Sequence, residues 1–240
     1  MAPILSTESV NKLLAKANMS MAADERLIFG LSLSRICLAA GASVFDGGID
    51  RVLFIERGIV GETIHTSDGN ALGISIIGCE GAVGLRSMGS GAYGFEVRAL
   101  TAVKALQISA RALALACSRS RELENLLRNY SDLLLQDTIV RLACHYHHNI
   151  DRRLPRWLLM AASRLGSSRL SITQEILAET LGVTQSAISR ALDTLESKGL
   201  IERARGEIIA INRRKLRSKA CRCCSGIDQV KKSIVKNGGF

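Results

Sequence analysis

The 240-residue chain has a formal net charge of +10 and 47% hydrophobic residues, enough apolar material for the core of one large or two ordinary domains. Its positive charge is confined to one end, because residues 151–240 contain 18 Lys and Arg against 8 Asp and Glu, whereas residues 1–150 contain 14 of each. A neutral part followed by a basic part is typical of proteins that bind nucleic acid phosphates. The sequence shows neither a long uncharged apolar run nor an export signal, so we expect a cytoplasmic protein without membrane contact.

The first predicted elements are a short helical lead-in and a set of strands. Residues 1–29 have the composition of a helix, and from about residue 31 to 109 short apolar runs alternate with glycines. Asp68-Gly69 lies between two such runs and predicts a hairpin turn, because this pair readily adopts positive φ angles. Many short strands at this spacing predict a closed or double-layered antiparallel structure.

Next, apolar residues recur at three- and four-residue steps from about residue 121 to 149, which predicts one long helix or two broken ones. A helix of this length would be about 40 Å long, more than one small domain buries, so we expect self-association along it. His145, His147 and His148 fall near its end. Their spacing does not place all three on one helix face, so the helix dipole or a dimer seam explains them better than a metal site.

A second helix is predicted from Arg152 onwards, and Pro155 interrupts its pattern. Proline clashes inside a helix, so the helix either begins near Leu154 or is kinked there. The same point separates the neutral part of the chain from the basic part. A hinge between a sensing domain and a binding domain is therefore expected here.

Residues 170–211 predict a winged helix-turn-helix. Thr173 can cap a first short helix, Gly182 can take the left-handed conformation of a tight turn, and Thr184 can cap a second helix at about residues 184–197. Two short apolar runs around residues 200–203 and 207–211 then predict two strands joined by a turn. This arrangement presents the polar N-terminal part of the second helix to solvent, as in proteins that read the DNA major groove.

The seven cysteines form no disulfide framework, since their number is odd and no export signal is present. Cys37, Cys79, Cys117 and Cys144 are scattered among apolar residues and are read as small buried side chains. The other three, Cys221, Cys223 and Cys224, are too close together for a zinc site made of two separated pairs. We interpret them as part of a frayed terminal extension, with redox modification as the alternative.

Several segments carry a family resemblance. They are VRALTA at 97–102, RRLPRWLLMAASRLG at 152–166 and SITQEILAETLGVTQSAISRALDTLESKGLI at 171–201. Over about residues 25–224 the chain resembles the bacterial regulators that include the catabolite activator protein and the fumarate and nitrate reduction regulator. The resemblance implies an α+β fold with a cyclic-nucleotide-binding-like β-roll (1–118), a dimerisation helix (119–149), a winged helix-turn-helix (150–224) and a tail (225–240).

The resemblance also implies a function, namely a homodimeric transcription regulator that binds a palindromic double-stranded DNA site and contacts RNA polymerase. Residues for base contacts and phosphate contacts carry over onto this chain as Thr173, Gln174, Thr184, Gln185, Ser186, Ser189, Arg190, Arg203 and Arg205. Arg190 matches the arginine suited to guanine. Ser186 stands where well-known members have a glutamate, so the usual operator cannot be assumed.

The sensor part departs from the family pattern. Tyr93 and Gly94 occupy the places of the Arg-Ser pair that binds the cyclic nucleotide phosphate, so we expect cyclic AMP not to be a tight ligand. The dispersed N-terminal thiols do not match an iron-sulfur motif, whereas a heme would need only one histidine or thiolate. No cofactor or metal is predicted. For an unknown effector, the candidate residues are Glu80, Tyr93 and Arg98.

Two other classes of function are the alternatives. The winged domain could mediate protein contacts in a small-molecule sensor or an antagonist of another regulator. An enzyme is not predicted, because no nucleophile motif, phosphate loop or pair of catalytic carboxylates is present, and Glu80 near a glycine run is the only candidate.

Overall fold

The computed structural model describes residues 29–30, 32–45, 50–88, 95–204 and 207–223. These residues form two antiparallel sheets, a long helix and a C-terminal group of helices with a small hairpin, which confirms the predicted α+β class. The helical lead-in predicted for residues 1–29 lies outside the described residues, apart from Phe29. None of the described helices is long and apolar enough to span a membrane.

Seven strands form the two layers of the roll, as the strand spacing predicted. They are β1 (Ser34–Leu38), β2 (Arg51–Arg57), β3 (Val60–His65), β4 (Ala71–Ile77), β5 (Ala82–Val83), β6 (Glu96–Ala99) and β7 (Val103–Ser109). The first sheet has the order β1-β7-β2-β5 and the second has the order β4-β3-β6. Aliphatic side chains such as Leu53, Val60 and Val103 pack together as one buried cluster and hold the two layers together.

The hairpin between β3 and β4 contains the turn that Asp68-Gly69 predicted. Val60 pairs with Ile77 at its open end, and His65 pairs with Ala71 at the turn. Gly69 has a φ of 83°, the positive value that favours glycine. The predicted hairpin turn is therefore confirmed.

Two helices follow the roll, α1 (Ala110–Arg119) and α2 (Arg121–His147). Ser120 separates them, and its hydroxyl caps α2 by accepting a hydrogen bond from the Leu123 N–H at 3.3 Å. Leucines on one face of α2 are buried against the roll. Tyr130 on the same face inserts its hydroxyl between strands, where it accepts from the Ala82 N–H at 3.0 Å and donates to the Ala82 carbonyl at 3.2 Å.

The C-terminal domain contains α3 (Ile150–Leu165), α4 (Gln174–Leu181), α5 (Gln185–Ser197), the hairpin β8 (Ile201–Ala204) and β9 (Glu207–Ile211), and α6 (Arg213–Lys219). The alternative in which α3 begins near Leu154 is wrong, since the helix begins at Ile150 and includes Pro155. In any helix the first four N–H groups have no carbonyl partner within the helix. Pro155 lies beyond these positions in α3, so its missing N–H removes one hydrogen bond from the second turn.

The segment after the wing corrects the frayed-tail interpretation. Residues 213–219 form α6, which packs on α3 through the fully buried Leu216. The main chain then continues to Cys221, whose N–H donates to the Arg152 carbonyl at 3.3 Å. Basic residues dominate the composition of this segment, so its single apolar anchor was easy to overlook. Residues 224–240 lie outside the described residues.

The roll and the C-terminal domain share a core. Ile59, Ile76 and Leu100 of the roll belong to the same buried cluster as Trp157 and the apolar residues of α4 and α5. Helix α4 crosses β4 closely at Gly73, where an added Cβ atom would lie 2.6 Å from the Thr180 carbonyl oxygen. The first helix of the helix-turn-helix is therefore docked onto the sensor sheet.

Candidate nucleic-acid interface

The turn between α4 and α5 has the geometry that the sequence predicted. The Thr173 hydroxyl caps α4 by accepting from the Ile176 N–H at 3.2 Å, and the Thr184 hydroxyl caps α5 by accepting from the Ala187 N–H at 3.3 Å. Between them, Gly182 ends α4 in the left-handed conformation, with a φ of 59°. These three residues fix the angle at which α5 leaves α4.

Helix α5 has one apolar face and one polar face. Ile188, Ala191, Leu192 and Leu195 are buried against the rest of the domain. On the other side, Gln185, Ser186 and Arg190 are exposed and Ser189 is half-buried. The predicted base-reading residues therefore lie together on the solvent face of the N-terminal half of α5.

The electrostatics of this surface suit an anionic partner. No acidic residue lies in the first turn of α5, so the positive end of the helix dipole is not neutralised there. Among the residues that the structure describes, the Arg190 guanidinium has no hydrogen-bond or ion-pair partner. Thr173 is exposed and Gln174 is half-buried at the start of α4.

The wing is a two-stranded hairpin that is fixed to the preceding helices. Ile201 pairs with Ile211, and Leu170 adds an isolated bridge to Ile208. Arg203 on β8 donates from Nε to the Glu196 carboxylate at 2.9 Å and reaches Asp193 at 2.5 Å, which anchors the wing to α5. The hydrogen bonds from Arg203 to Glu196 also lower the pKa of the Glu196 carboxyl. Arg205 lies outside the described residues.

Of the predicted effector residues, two contact the C-terminal domain. Glu80 forms an ion pair with Arg164 of α3 at 2.7 Å. Arg98 binds Glu96 at 2.5 Å and approaches Glu179 of α4 at 3.4 Å, and the hydrogen bond to Glu96 raises its pKa. Both side chains therefore join the roll to the DNA-binding domain, a role that no local sequence signal showed. Tyr93 and Gly94 lie outside the described residues.

The end of α2 carries a buried polar cluster that the sequence analysis missed. Asp137 and Arg141, one turn apart, form an ion pair of 2.8 Å with both side chains buried. Burial, together with the neighbouring Arg153 and Arg141, lowers the pKa of His145 to about 4. Burial and these cations therefore outweigh the helix dipole at His145. The i, i+4 spacing of Asp137 and Arg141 in the sequence indicates an ion pair on one helix face, but it does not show that the two side chains are buried.

A model of the Crp-like helix-turn-helix domain matches residues 152–219, which contain α4, α5 and the wing. Several solved structures share the fold over about four fifths of the chain. One, from Eubacterium rectale and described as a transcriptional regulator of the Crp/Fnr family, is 18% identical and covers 82% of this chain and 94% of its own, with a TM-score of 0.67. The chain has the Crp/Fnr fold, with a Crp-like helix-turn-helix domain.

Two further structures with the Crp/Fnr fold have similar scores. FixK2 from Bradyrhizobium japonicum is 18% identical, with 79% of this chain and 98% of that chain covered and a TM-score of 0.68. The c-di-GMP responsive global regulator CLP of Xanthomonas campestris is also 18% identical, with coverages of 80% and 100% and a TM-score of 0.63. No curated protein matches the chain by sequence.

The central helix of this Crp/Fnr fold also has an exposed apolar face. Large apolar side chains are spaced four, three and four residues apart along the second half of α2, namely Leu135, Ile139, Leu142 and Tyr146. Their exposed fractions run from 54% for Leu135 to 85% for Tyr146. We call this set the α2 stripe. Its spacing is that of the contact positions of a coiled coil.

Proposed function

We propose that the protein is a homodimeric transcription regulator of the Crp/Fnr type that binds a specific double-stranded DNA site. The observation that carries this proposal is the polar, acid-free surface at the start of α5, held in place by a Crp-like helix-turn-helix domain. A surface of this shape and charge fits the major groove, where side-chain donors and acceptors meet base edges. RNA polymerase is the further partner that this function implies.

The proposed contacts follow from the exposed groups. Arg190 offers two parallel donors that suit the O6 and N7 atoms of guanine, whereas Gln185 offers an amide that suits adenine. Ser186 and Ser189 add shorter donors and acceptors on the same face. The backbone N–H groups and hydroxyls around Thr173, Gln174 and Thr184, with Arg205 between β8 and β9 in the sequence, are assigned to phosphates, whereas Arg203 is already bound to two carboxylates.

The α2 stripe supports the homodimer. An apolar stripe exposed over three helical turns is unfavourable in water, and a second α2 packed on it in parallel would remove it from solvent. A two-fold axis along α2 places the two copies of α5 on one side of the dimer. Such a pair reads two half-sites about 34–36 Å apart in successive major grooves, hence a palindromic sequence.

The test is a comparison of Arg190→Ala with Arg111→Ala, an exposed arginine on α1 of the roll that serves as the charge-matched control. DNA sites are first selected from genomic fragments with the wild-type protein at low ionic strength, and affinities are then measured by fluorescence anisotropy. Arg190→Ala should weaken binding to the selected site by about 1–3 kcal/mol and reduce base preference at one position. Arg111→Ala should bind like the wild type.

Three results would contradict the proposal. An equal loss on selected and random DNA would show that Arg190 contacts phosphate and does not read bases. Binding that does not weaken with added salt would indicate a winged domain that contacts protein. Failure of the wild type to retain any genomic fragment would exclude DNA binding.

A further inference from the structure

Three cysteines from distant parts of the chain meet at the joint between the two domains. Cys144 lies in the last turn of α2, and Cys221 and Cys223 follow α6. The Cys144 and Cys221 sulfur atoms are 3.4 Å apart, and all three sulfur atoms lie within 4.8 Å of one another. A tetrahedral metal ion with bonds of about 2.3 Å holds its sulfur ligands about 3.8 Å apart, which falls inside this range.

The fold positions these sulfur atoms with main-chain contacts. Leu216 anchors α6 on α3, and the Ala220 N–H ends that helix by donating to the Leu216 carbonyl at 3.1 Å. The Cys221 N–H then bonds to the Arg152 carbonyl, which directs its side chain towards α2. Cys144 and Cys221 are buried, while Cys223 is half-buried. The cluster is therefore preformed on its inner side and accessible from its outer side.

Burial opposes negative charge at the cluster and raises the pKa of the Cys144 thiol to about 12, whereas nearby guanidinium groups favour the thiolate. Arg156 interacts favourably with a thiolate at Cys144, and Arg153 with thiolates at Cys144 and Cys221. Three thiolates around a divalent ion carry one net negative charge, which the buried Arg156 and the half-buried Arg153 can compensate. These arginines would repel a metal ion by itself, but they stabilise the negatively charged complex of the metal ion with three thiolates.

A cleft beside the cluster leaves room for a further ligand. Its volume is about 620 Å³, and its walls include His148, Arg152, Cys221 and Cys223. A metal ion bound to three protein sulfur atoms keeps a fourth position for water or for another donor. The His148 imidazole lines the same cleft and can supply that donor after a side-chain rotation.

We propose that Cys144, Cys221 and Cys223 form a binding site for one thiophilic metal ion, for which Zn²⁺ is the representative. A disulfide would use two of these cysteines and leave the third without a role, whereas a metal ion uses all three. On binding, each thiol loses its proton to solvent and the sulfur donates an electron pair to the metal. Soft thiolate donors select Zn²⁺ and related ions over Mg²⁺ or Ca²⁺.

The site would couple metal binding to the orientation of the DNA-binding domain. It connects the end of α2, the chain near Arg152 in the first turn of α3, and the segment after α6. Because an ion bound there would fix these three elements together, we expect the metal-loaded and metal-free proteins to differ in DNA affinity. This consequence rests on the proposed DNA-binding function, whereas the binding site itself does not.

The experiment uses the full chain, reduced, freed of metal by a chelator and titrated with Zn²⁺ against a chromophoric competitor. We expect one tightly bound equivalent per chain and, with Cd²⁺ as a second probe, a thiolate-to-metal charge-transfer band. Cys223→Ser and Cys221→Ser should each weaken Zn²⁺ binding by at least about 100-fold, more than the usual cost of losing a group that only supports a ligand. Cys37→Ser, an exposed thiol on β1, is the control and should bind like the wild type.

The outcomes separate the site from its regulatory effect. Circular dichroism establishes that each variant is folded, and the half-buried Cys223 decides the result if Cys221→Ser does not fold. Three results would each overturn the site: no tightly bound Zn²⁺ in the wild type, unchanged Zn²⁺ binding in folded Cys223→Ser, or a Cys144–Cys221 disulfide with no metal uptake.

The regulatory effect is tested separately. A metal-loaded protein whose DNA affinity equals that of the metal-free form would overturn only the coupling. If neither the metal-loaded nor the metal-free protein binds DNA, the proposed function is overturned. The metal site is then tested by the number of Zn²⁺ ions bound per chain alone.

Discussion

Arg203 illustrates how its neighbours determine the role of a single side chain. Sequence reasoning assigned it to DNA phosphates because it is a cation on the wing. In the fold it is 20% exposed and binds two carboxylates of α5, so its charge is already compensated. Anchoring the wing to the recognition helix is its observed role. Arg190, by contrast, keeps the exposure on which its proposed contact with a base depends.

Tyr130 is the residue that most directly fastens the long helix to the roll. Its hydroxyl both accepts from and donates to the main chain of Ala82 in a buried position. Burial also raises the pKa of this phenol, so the group stays neutral and keeps its donor. An aromatic residue among leucines on a helix predicts burial, but its sequence position does not reveal this pair of hydrogen bonds.

Removing that hydroxyl should lower stability without changing the packing of the ring. We expect Tyr130→Phe to reduce the free energy of unfolding by about 1–3 kcal/mol, because buried polar groups of Ala82 lose their partner. Urea denaturation followed by circular dichroism measures the change. Ser171→Ala is the control, since it removes a hydroxyl that is exposed outside the α2 stripe and should leave stability unchanged. Equal stability of the two variants would contradict a role for the Tyr130 hydrogen bonds.

Among the secondary-structure elements, α2 packs against the roll on one face and exposes apolar side chains on another. Its first half buries leucines against the roll, and its second half carries the α2 stripe on one face and the buried Asp137–Arg141 ion pair on another. The three- and four-residue periodicity of the sequence predicted a long helix with apolar faces. It did not show which positions face the roll and which remain exposed, because that depends on where the sheets lie.

If the α2 stripe is the dimer seam, one charged side chain introduced into it should prevent dimerisation. Ile139→Glu should convert a dimer into a monomer, because two carboxylates facing each other across an apolar seam are unfavourable. Leu115→Glu is the control, since Leu115 is 52% exposed on α1 and lies outside the stripe. Light scattering coupled to gel filtration gives the mass of each variant. A dimer that persists in Ile139→Glu would exclude the stripe as the seam.

For the molecule as a whole, the contact between the roll and the C-terminal domain is the central feature. It combines a shared apolar core with the Glu80–Arg164 and Arg98–Glu179 ion pairs. Isolated pairs of this kind contribute little in water, so the close packing of α4 on β4 stabilises the contact more than they do. A change in the sheet that contains β4 can therefore reach the helix-turn-helix directly through α4.

Gly73 permits this close approach. Gly73→Ala should lower the free energy of unfolding by about 1–3 kcal/mol, because its Cβ atom would stand 2.6 Å from the Thr180 carbonyl oxygen and the domains would have to move apart. The fluorescence of Trp157, the one Trp of the chain and part of the shared core, follows the transition in urea. Gly30→Ala adds a methyl group in open space and is the control. Unchanged stability of Gly73→Ala would show that the contact is loose.

Local sequence patterns were enough to predict the elements whose physics is local. The caps Thr173 and Thr184, the left-handed Gly182, the two-faced α5 and the wing strands all follow from side chains within a few residues of one another. The polar surface at the start of α5 follows from the same periodicity, and the charge asymmetry of the chain predicts a nucleic-acid partner. These features need no knowledge of what lies across the molecule.

The tertiary structure alone decided which distant groups meet. Cys144 and Cys221 are 77 residues apart, and Arg98 and Glu179 are 81 apart, so no spacing rule relates them. Their meeting depends on how α2, α3 and α6 pack and on the docking of α4 against the roll. Side-chain contacts of this kind arise from the sum of many small packing energies over the whole chain, and that sum cannot be read from any single segment.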